Sequence, residues 1–251
     1  MIVIMAEWWR NFKLKTRAWY KQVMKPFGSF LGKLGITPNV LTFIGGLFAI
    51  ATATMYSFQG RIGSFDYWWL LGFLLMIVTG FIDMLDGSVA RATGTDSLFG
   101  KVFDPVMDRF AEFCFLIGIA IGNYSYEPLT TTFLVTIPVG AWCLFGFAGM
   151  IFASYARARG ESVVKLNAES VGLMERREKL ALLYLGNLLF YWFEISLVIA
   201  IFLVGLLSFI TTIQRMVYIN KAMKEFEMEN NNKEEKTLYD QNKTLTTENQ
   251  H

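Results

Sequence analysis

Long uncharged runs constrain this chain more than any other feature of its sequence. Residues 38–60 are 23 consecutive positions without a charged side chain, and residues 128–156 are 29. An α-helix rises about 1.5 Å per residue and the hydrocarbon core of a bilayer is about 30 Å thick, so each run can cross it. With 54% hydrophobic and only 18% charged residues, the chain is predicted to be an all-α integral membrane protein.

Three further apolar segments complete the predicted spans: residues 67–82, 101–124 and 180–214. The last is 35 residues long and is interrupted only by Glu194. As one helix it would reach about 52 Å, well beyond the hydrocarbon core. We therefore predict a hairpin that turns near Trp192–Glu194, which gives six transmembrane helices. Pro138 offers a position for a kink in the fourth of them.

Basic residues predict how the spans are oriented. Seven Lys and Arg residues precede Pro38, and six lie between the fourth and fifth predicted spans, whereas the opposite loops hold almost none beyond Arg61. By the positive-inside rule, both termini and the loop between the second and third spans face the cytoplasm of a multi-pass cell-membrane protein.

The segments outside the spans differ in composition. Residues 1–36 form a cytoplasmic juxtamembrane segment whose positions 5–25 mix aromatic and basic side chains, which favours an amphipathic interfacial helix over a plain basic tail. Residues 37–220 form the six-span domain. Residues 221–251 are polar and predict a disordered cytoplasmic tail.

Several kinds of function are excluded by composition. The net charge of +2 indicates no nucleic-acid partner. The single histidine, His251, is the last residue, so a histidine-based metal site or catalytic base is excluded. Cys114 and Cys143 fall in apolar runs and are predicted to be buried thiols. The order of apolar and basic residues at the start is the reverse of a removable signal peptide.

Four aspartates stand where the second and third spans meet a short polar loop. A carboxylate at the edge of hydrocarbon is costly, so such residues are candidates for a functional site. Helical spacing places one set of residues on a single face of the second span: Asp83, Asp86, Gly87 and Ala90. It places a second set on a single face of the third span: Gly100, Asp104 and Asp108. The short loop would turn these two faces toward each other. Converging carboxylates suit Mg²⁺ or Mn²⁺, and two such ions about 4 Å apart could clamp a pyrophosphate.

The same residues carry a family resemblance. The pattern Asp83-x2-Asp86-Gly87-x2-Ala90-Arg91-x8-Gly100-x3-Asp104-x3-Asp108 resembles the signature of the CDP-alcohol phosphatidyltransferases, with eight fixed residues in 26 positions. The start of the first span, Thr37-Pro38-Asn39 with Thr42 one turn on, is similar as well. The resemblance implies a membrane transferase, often a homodimer, that moves a phosphatidyl-type group from a CDP-lipid to an alcohol and releases CMP.

The resemblance also implies roles for single residues. Asp83, Asp86 and Asp104 would bind two divalent metal ions, and Asp108 would be a further ligand or the general base. The remaining matching positions would line the CDP site: Asn39, Thr42, Gly87, Ala90, Arg91 and Gly100. The donor would be CDP-diacylglycerol or CDP-archaeol.

The acceptor alcohol is indicated less directly. Residues 154–159 and 172–180 resemble the inositol-phosphate synthase branch of the family, including its archaeal members. Four cations there could bind a phosphate on the acceptor: Arg157, Arg159, Arg176 and Lys179. The positive-inside charge of a loop also explains them. Inositol 1-phosphate is the expected acceptor, with glycerol 3-phosphate and serine as alternatives.

A cation or proton transporter is a remaining alternative, because intramembrane acids also line ion pathways. Transporters usually hold such acids near the bilayer midplane on broken helices. Here the acids cluster at one membrane surface, and the other spans have only Glu194. The pattern therefore favours the transferase.

Overall fold

The computed structural model describes Lys15 and residues 22–60, 67–95, 97–122, 137–164 and 171–248, with side chains as far as Met228. These residues contain seven helices and no strand, which confirms the all-α prediction. The helices are α1 (22–33), α2 (Pro38–Phe58), α3 (Tyr67–Thr93), α4 (Gly100–Ile121), α5 (Val139–Val164), α6 (Arg176–Leu189) and α7 (Ile195–Glu248). The predicted interfacial helix at 5–25 lies almost wholly outside the described residues.

Four of the described helices are long and apolar enough to cross a membrane: α2, α3, α5 and the first part of α7, Ile195–Met228. The helices α4 and α6 occupy the positions of the other two predicted spans. Five charged residues lie in α4, and α6 has 14 residues, or about 21 Å. The predicted hairpin turn is present, since α6 ends at Leu189 and α7 begins at Ile195.

The chain divides into two compact units, of which the first comprises residues 1–144 and 187–195. In this unit α2 packs against both α3 and α4. Small residues allow the close approach: a Cβ on Gly118 of α4 would lie 2.6 Å from the backbone of Ala53 in α2. Leu41, Ile82 and Val89 form the buried core between α2 and α3. The helix α2 therefore holds the two aspartate-bearing helices.

A six-residue connection joins α3 to α4 and brings their ends together. Gly94 ends α3 with φ +64°, a conformation that glycine adopts without steric cost, and its N–H donates to the carbonyl of Ala90 at 3.0 Å. Ser97 then caps α4, because its Oγ accepts the N–H of Gly100 at 2.9 Å. The predicted aspartates thus lie on two helices that meet at one short loop.

The second unit comprises residues 145–186 and 196–251, and its helices α5 and α7 pack closely. A Cβ on Gly149 would lie 2.8 Å from the carbonyl oxygen of Gly205, and the rings of Phe145 and Phe209 are 5.1 Å apart. The buried Arg215 of α7 joins this packing. Its guanidinium donates to the carbonyl of Val171 at 2.9 Å and to that of Ala153.

Two boundaries differ from the sequence predictions. Pro138 was predicted to lie within a span; it directly precedes α5, and its carbonyl accepts the N–H of Ala141 at 2.9 Å. Residues 221–248, predicted as a disordered tail, continue α7 as helix. Helix extension adds a hydrogen bond per residue without a new nucleation step, and Glu, Lys and Leu favour it.

Candidate active site

Three of the four predicted metal ligands come together in the structure. Carboxylate oxygens of Asp83, from α3, and of Asp104 and Asp108, from α4, all lie within 4.8 Å of one another. Ionised carboxylates at this separation repel unless a cation lies between them. Hard oxygen donors of this kind are the ligands that Mg²⁺ and Mn²⁺ prefer. The donor set therefore fits a divalent cation.

The fourth aspartate, Asp86, is held separately. It is 5% exposed, and Thr42 near the start of α2 donates a hydrogen bond of 2.8 Å to its Oδ2. The same hydroxyl lies 3.1 Å from the carbonyl oxygen of Pro38, one helical turn earlier. A hydrogen bond from a fixed hydroxyl compensates part of the cost of burying the carboxylate and sets its orientation.

A cavity of about 250 Å³ opens beside these aspartates, between the start of α2, the end of α3 and the start of α4. Asp86 and Asp104 line it, so the cavity and the three-carboxylate cluster share Asp104. All six residues that the sequence assigned to the CDP site line it too: Asn39, Thr42, Gly87, Ala90, Arg91 and Gly100. The structure thus brings the predicted residues to one place, while their roles remain predictions.

Four lining residues were missed by the sequence reasoning: Pro38, Thr95, Ser97 and Lys101. Thr95 and Ser97 belong to the short connection that Gly94 and the cap of α4 shape. Lys101 follows Gly100 directly, and this adjacency to a motif position was the one available signal. Their hydroxyls and ammonium add donors and a positive charge to the cavity.

The two motif glycines keep the cavity open. A Cβ on Gly87 would lie 3.3 Å from Nη1 of Arg91, so a side chain there would displace the guanidinium. A Cβ on Gly100 would lie 2.9 Å from Ser97 Oγ and 3.1 Å from Asn39 Oδ1. Any larger residue at either position would fill space beside polar groups that line the cavity.

The predicted acceptor residues all belong to the second unit, and they are not in a loop as predicted. Arg157 and Arg159 lie in α5, which extends to Val164, and Arg176 and Lys179 lie in the first turn of α6. The Arg157 Nε donates to Glu161 Oε1 at 3.0 Å across one helical turn. The helix α5 therefore continues past the apolar run that set the predicted boundary.

Burial distinguishes these four cations. Arg159 is exposed, Arg157 and Arg176 are half-buried, and Lys179 is 4% exposed.

Glu178 stabilises the start of α6, since its Oε2 accepts the N–H of Glu175 at 2.5 Å, one half of a capping box. The buried Arg215 was not predicted, although a cation at the end of the last apolar run could have indicated it.

Together, the apolar helices and the acidic centre beside a polar cavity define a helical membrane protein whose site is suited to phosphate chemistry. The particular family follows from comparison with known proteins. The model of the CDP-alcohol phosphatidyltransferase family matches residues 35–214, and the chain belongs to this family. It is therefore a membrane transferase of phospholipid biosynthesis.

Named relatives cover most of the chain. It is 34% identical over 214 residues to the archaetidylinositol phosphate synthase of Pyrococcus horikoshii, an alignment that covers 85% of this chain and 98% of that protein. It is 30% identical to the phosphatidylinositol phosphate synthase of Streptomyces avermitilis, with 84% and 83% covered.

A solved structure shows a similar fold. The phosphatidylinositol phosphate synthase of Mycobacterium tuberculosis, crystallised with CDP-DAG bound, superposes with a TM-score of 0.63 at 24% identity. The superposition covers 79% of this chain and 94% of that one. At this identity the likeness concerns the fold alone.

Proposed function

We propose that this enzyme transfers a phosphatidyl-type group from a CDP-lipid to inositol 1-phosphate and releases CMP. The observation that carries the proposal is the three-carboxylate cluster sharing Asp104 with a cavity lined by the predicted CDP-site residues. The relatives from Pyrococcus and Streptomyces, both named as inositol phosphate lipid synthases, support inositol phosphate as the acceptor. The solved relative with CDP-DAG bound supports a CDP-lipid as the donor.

The proposed membrane arrangement has six spans, with α4 and α6 added to the four long apolar helices. Both termini and the cavity face the cytoplasm of the cell membrane, as the distribution of Lys and Arg favours. In this arrangement the charged residues of α4 face neighbouring helices rather than lipid. Intramembrane charges usually face the interior of a helix bundle in this way. The enzyme acts as a homodimer, as the family resemblance implies.

The donor lies with its headgroup in the cavity and its tails in the bilayer. Arg91 supplies positive charge for the phosphates, and Asn39 offers an amide for the nucleoside. Gly87 and Gly100 leave the backbone accessible, because a side chain at either position would fill the cavity beside these groups. The tails are acyl esters in CDP-diacylglycerol or isoprenoid ethers in CDP-archaeol.

Asp83, Asp104 and Asp108, with Asp86 beside them, would hold two Mg²⁺ or Mn²⁺ ions. Such cations, when bound, neutralise pyrophosphate charge and polarise the phosphorus that is attacked. A solved relative crystallised with manganese and citrate supports divalent metal use. Thr42 orients Asp86 through its 2.8 Å hydrogen bond, so that this carboxylate keeps one geometry.

The transfer is a displacement at phosphorus. The hydroxyl oxygen of the acceptor forms a bond to the phosphorus that carries the lipid, and the bond from that phosphorus to the bridging oxygen breaks. The bridging oxygen takes the electron pair and leaves as part of CMP. Asp108 accepts the proton of the attacking hydroxyl, which is the role of a general base.

The acceptor's own phosphate is bound by four cations: Arg157, Arg159, Arg176 and Lys179. Guanidinium groups bind phosphate through two parallel hydrogen bonds, and an ammonium binds it as a point charge. Glycerol 3-phosphate would use the same cations. Serine lacks the phosphate and would gain less from them.

The test is release of CMP by the purified protein with Mg²⁺ or Mn²⁺ and a CDP-lipid, with acceptors offered singly. Release with inositol 1-phosphate, loss in EDTA and recovery with added metal are expected. Release with glycerol 3-phosphate or serine alone would keep the transferase and overturn the acceptor. Metal-driven ion flux in proteoliposomes without CMP release from any donor would overturn the proposal in favour of a transporter.

A further inference from the structure

Two cations line the cavity from different helices: Arg91 at the end of α3 and Lys101 at the start of α4. Both side chains are exposed. Asp86 and Asp104 line the same cavity, yet neither cation forms an ion pair with any residue that the structure describes. Two positive groups beside two carboxylates are therefore both available to an anionic ligand.

The helical positions separate the charges along the cavity. Lys101 precedes Asp104 by three residues, or about 4.5 Å along α4, and Arg91 follows Asp86 by five residues, or about 7.5 Å along α3. Because α3 ends and α4 begins at the same connection, both cations lie nearer to it than the carboxylates do. Among the lining residues that the structure describes, the two cations therefore lie toward the connection and the two carboxylates lie farther from it.

Helix electrostatics explain Arg91 but not Lys101. Arg91 lies in the last turn of α3, where a cation interacts favourably with the helix dipole. Lys101 is the second residue of α4, where a cation opposes the dipole, and no acidic residue lies in that first turn to offset it. The position of Lys101 is therefore unfavourable for the helix and calls for another reason.

We propose that Lys101 is a binding residue for the donor, and that its ammonium binds the phosphate that departs with the nucleoside. This proposal rests on the proposed function. The attacked phosphorus must lie near Asp108, in the cluster that shares Asp104 with the cavity. The rest of the headgroup then extends past Asp104 into the cavity, where Lys101 is one turn away.

The chemistry of the step gives this contact its use. When the bond to the bridging oxygen breaks, that oxygen keeps the electron pair, and the departing phosphate gains negative charge. An ammonium beside it stabilises the departing group more than it stabilises the intact pyrophosphate. The same contact holds the free nucleotide product, so binding of CMP reports on it without any turnover.

The experiment measures binding of CMP, CDP and cytidine to the purified full-length protein in detergent with Mg²⁺, by calorimetry. The variants are Lys101→Met and Lys101→Arg, and the matched control is Lys33→Met. Lys33 is an exposed lysine of α1 that does not line the cavity. Thermal unfolding of each variant shows whether it is folded.

Lys101→Met is expected to weaken the binding of both CMP and CDP about tenfold, as the loss of one charge-assisted hydrogen bond predicts. Lys101→Arg should recover most of the affinity, cytidine binding should not change, and Lys33→Met should bind like the wild type. Equal affinity of Lys101→Met and wild type for CMP would overturn this inference and leave the proposed function standing.

Two other results would also overturn the inference. A loss of affinity confined to CDP would place the ammonium on the phosphate that CDP has and CMP lacks. No binding of any cytidine nucleotide by the wild-type protein would contradict the proposed donor, and the assignment of Lys101 would fail with it. Because CMP binding requires neither lipid nor acceptor, failure of the acceptor assignment leaves this test unaffected.

Discussion

The hydroxyl of Thr42 donates a 2.8 Å hydrogen bond to the buried carboxylate of Asp86. This bond joins the start of α2 to the aspartate-bearing part of α3. A buried carboxylate that loses a fixed donor keeps its desolvation cost and gains rotational freedom. The contact therefore links packing of the helices to the geometry of the acidic centre.

Thr42→Val is expected to lower the rate of CMP release about tenfold, because it removes the donor to Asp86 and keeps the shape of the side chain. The measurement is the initial rate at saturating donor and acceptor. Thr54→Val is the matched control, since the exposed Thr54 hydroxyl bonds within α2 to the Ile50 carbonyl. Equal rates in Thr42→Val and wild type would contradict a role for this bond.

Asp108→Asn is expected to lower turnover at least about 100-fold, because an amide cannot accept the proton of the attacking hydroxyl. Binding of the CDP-lipid should change only a few-fold, as the amide preserves the shape of the side chain. The measurements are kcat and donor affinity for the same protein sample. A variant that kept more than about a tenth of the wild-type rate would exclude the role of Asp108 as general base.

Arg157→Ala is expected to raise the KM for inositol 1-phosphate about tenfold and to leave the KM for the CDP-lipid within a factor of two, as loss of a phosphate contact predicts. Arg177→Ala is the control, because Arg177 is an exposed arginine in the first turn of α6 that was not assigned to the acceptor site. If both KM values rose equally in Arg157→Ala, the residue would serve folding or topology instead.

Gly118→Ala is expected to destabilise the protein by about 1–3 kcal/mol, the usual cost of overpacking. The added Cβ would lie 2.6 Å from the Ala53 backbone, which cannot move aside as a flexible side chain would. Gly140→Ala is the control, because its Cβ would meet Ala120 at an ordinary 3.8 Å. Thermal unfolding in detergent measures both, and equal midpoints would contradict the close approach of α2 and α4.

Most of the acidic centre could be predicted from sequence, because it depends on helical spacing and on a short connection between two consecutive helices. Asp83 and Asp86 share one helical face and Asp104 and Asp108 another, and both helices adjoin the same short connection. The turn between α6 and α7 was also predictable, since one helix over 180–214 would exceed the bilayer. Length and periodicity are local properties that the order of residues determines.

The presence of Thr95, Ser97 and Lys101 in the cavity lining could not be predicted in the same way. It depends on how the connection folds back, which the positive φ of Gly94 and the capping bond of Ser97 decide together. Pro138 shows a second limit. Proline is compatible with both a kink and a helix start, and uncharged residues on both sides gave no signal to separate them.

The central claim is transfer from a CDP-lipid to inositol 1-phosphate, and a competition experiment tests it most directly. The purified protein receives a CDP-lipid, Mg²⁺ and equal concentrations of inositol 1-phosphate, glycerol 3-phosphate, serine and free inositol, and mass spectrometry identifies the lipid product. A lipid carrying inositol with its second phosphate retained, formed in equal amount to CMP, is the predicted result. A product carrying glycerol phosphate, serine or unphosphorylated inositol would contradict the account.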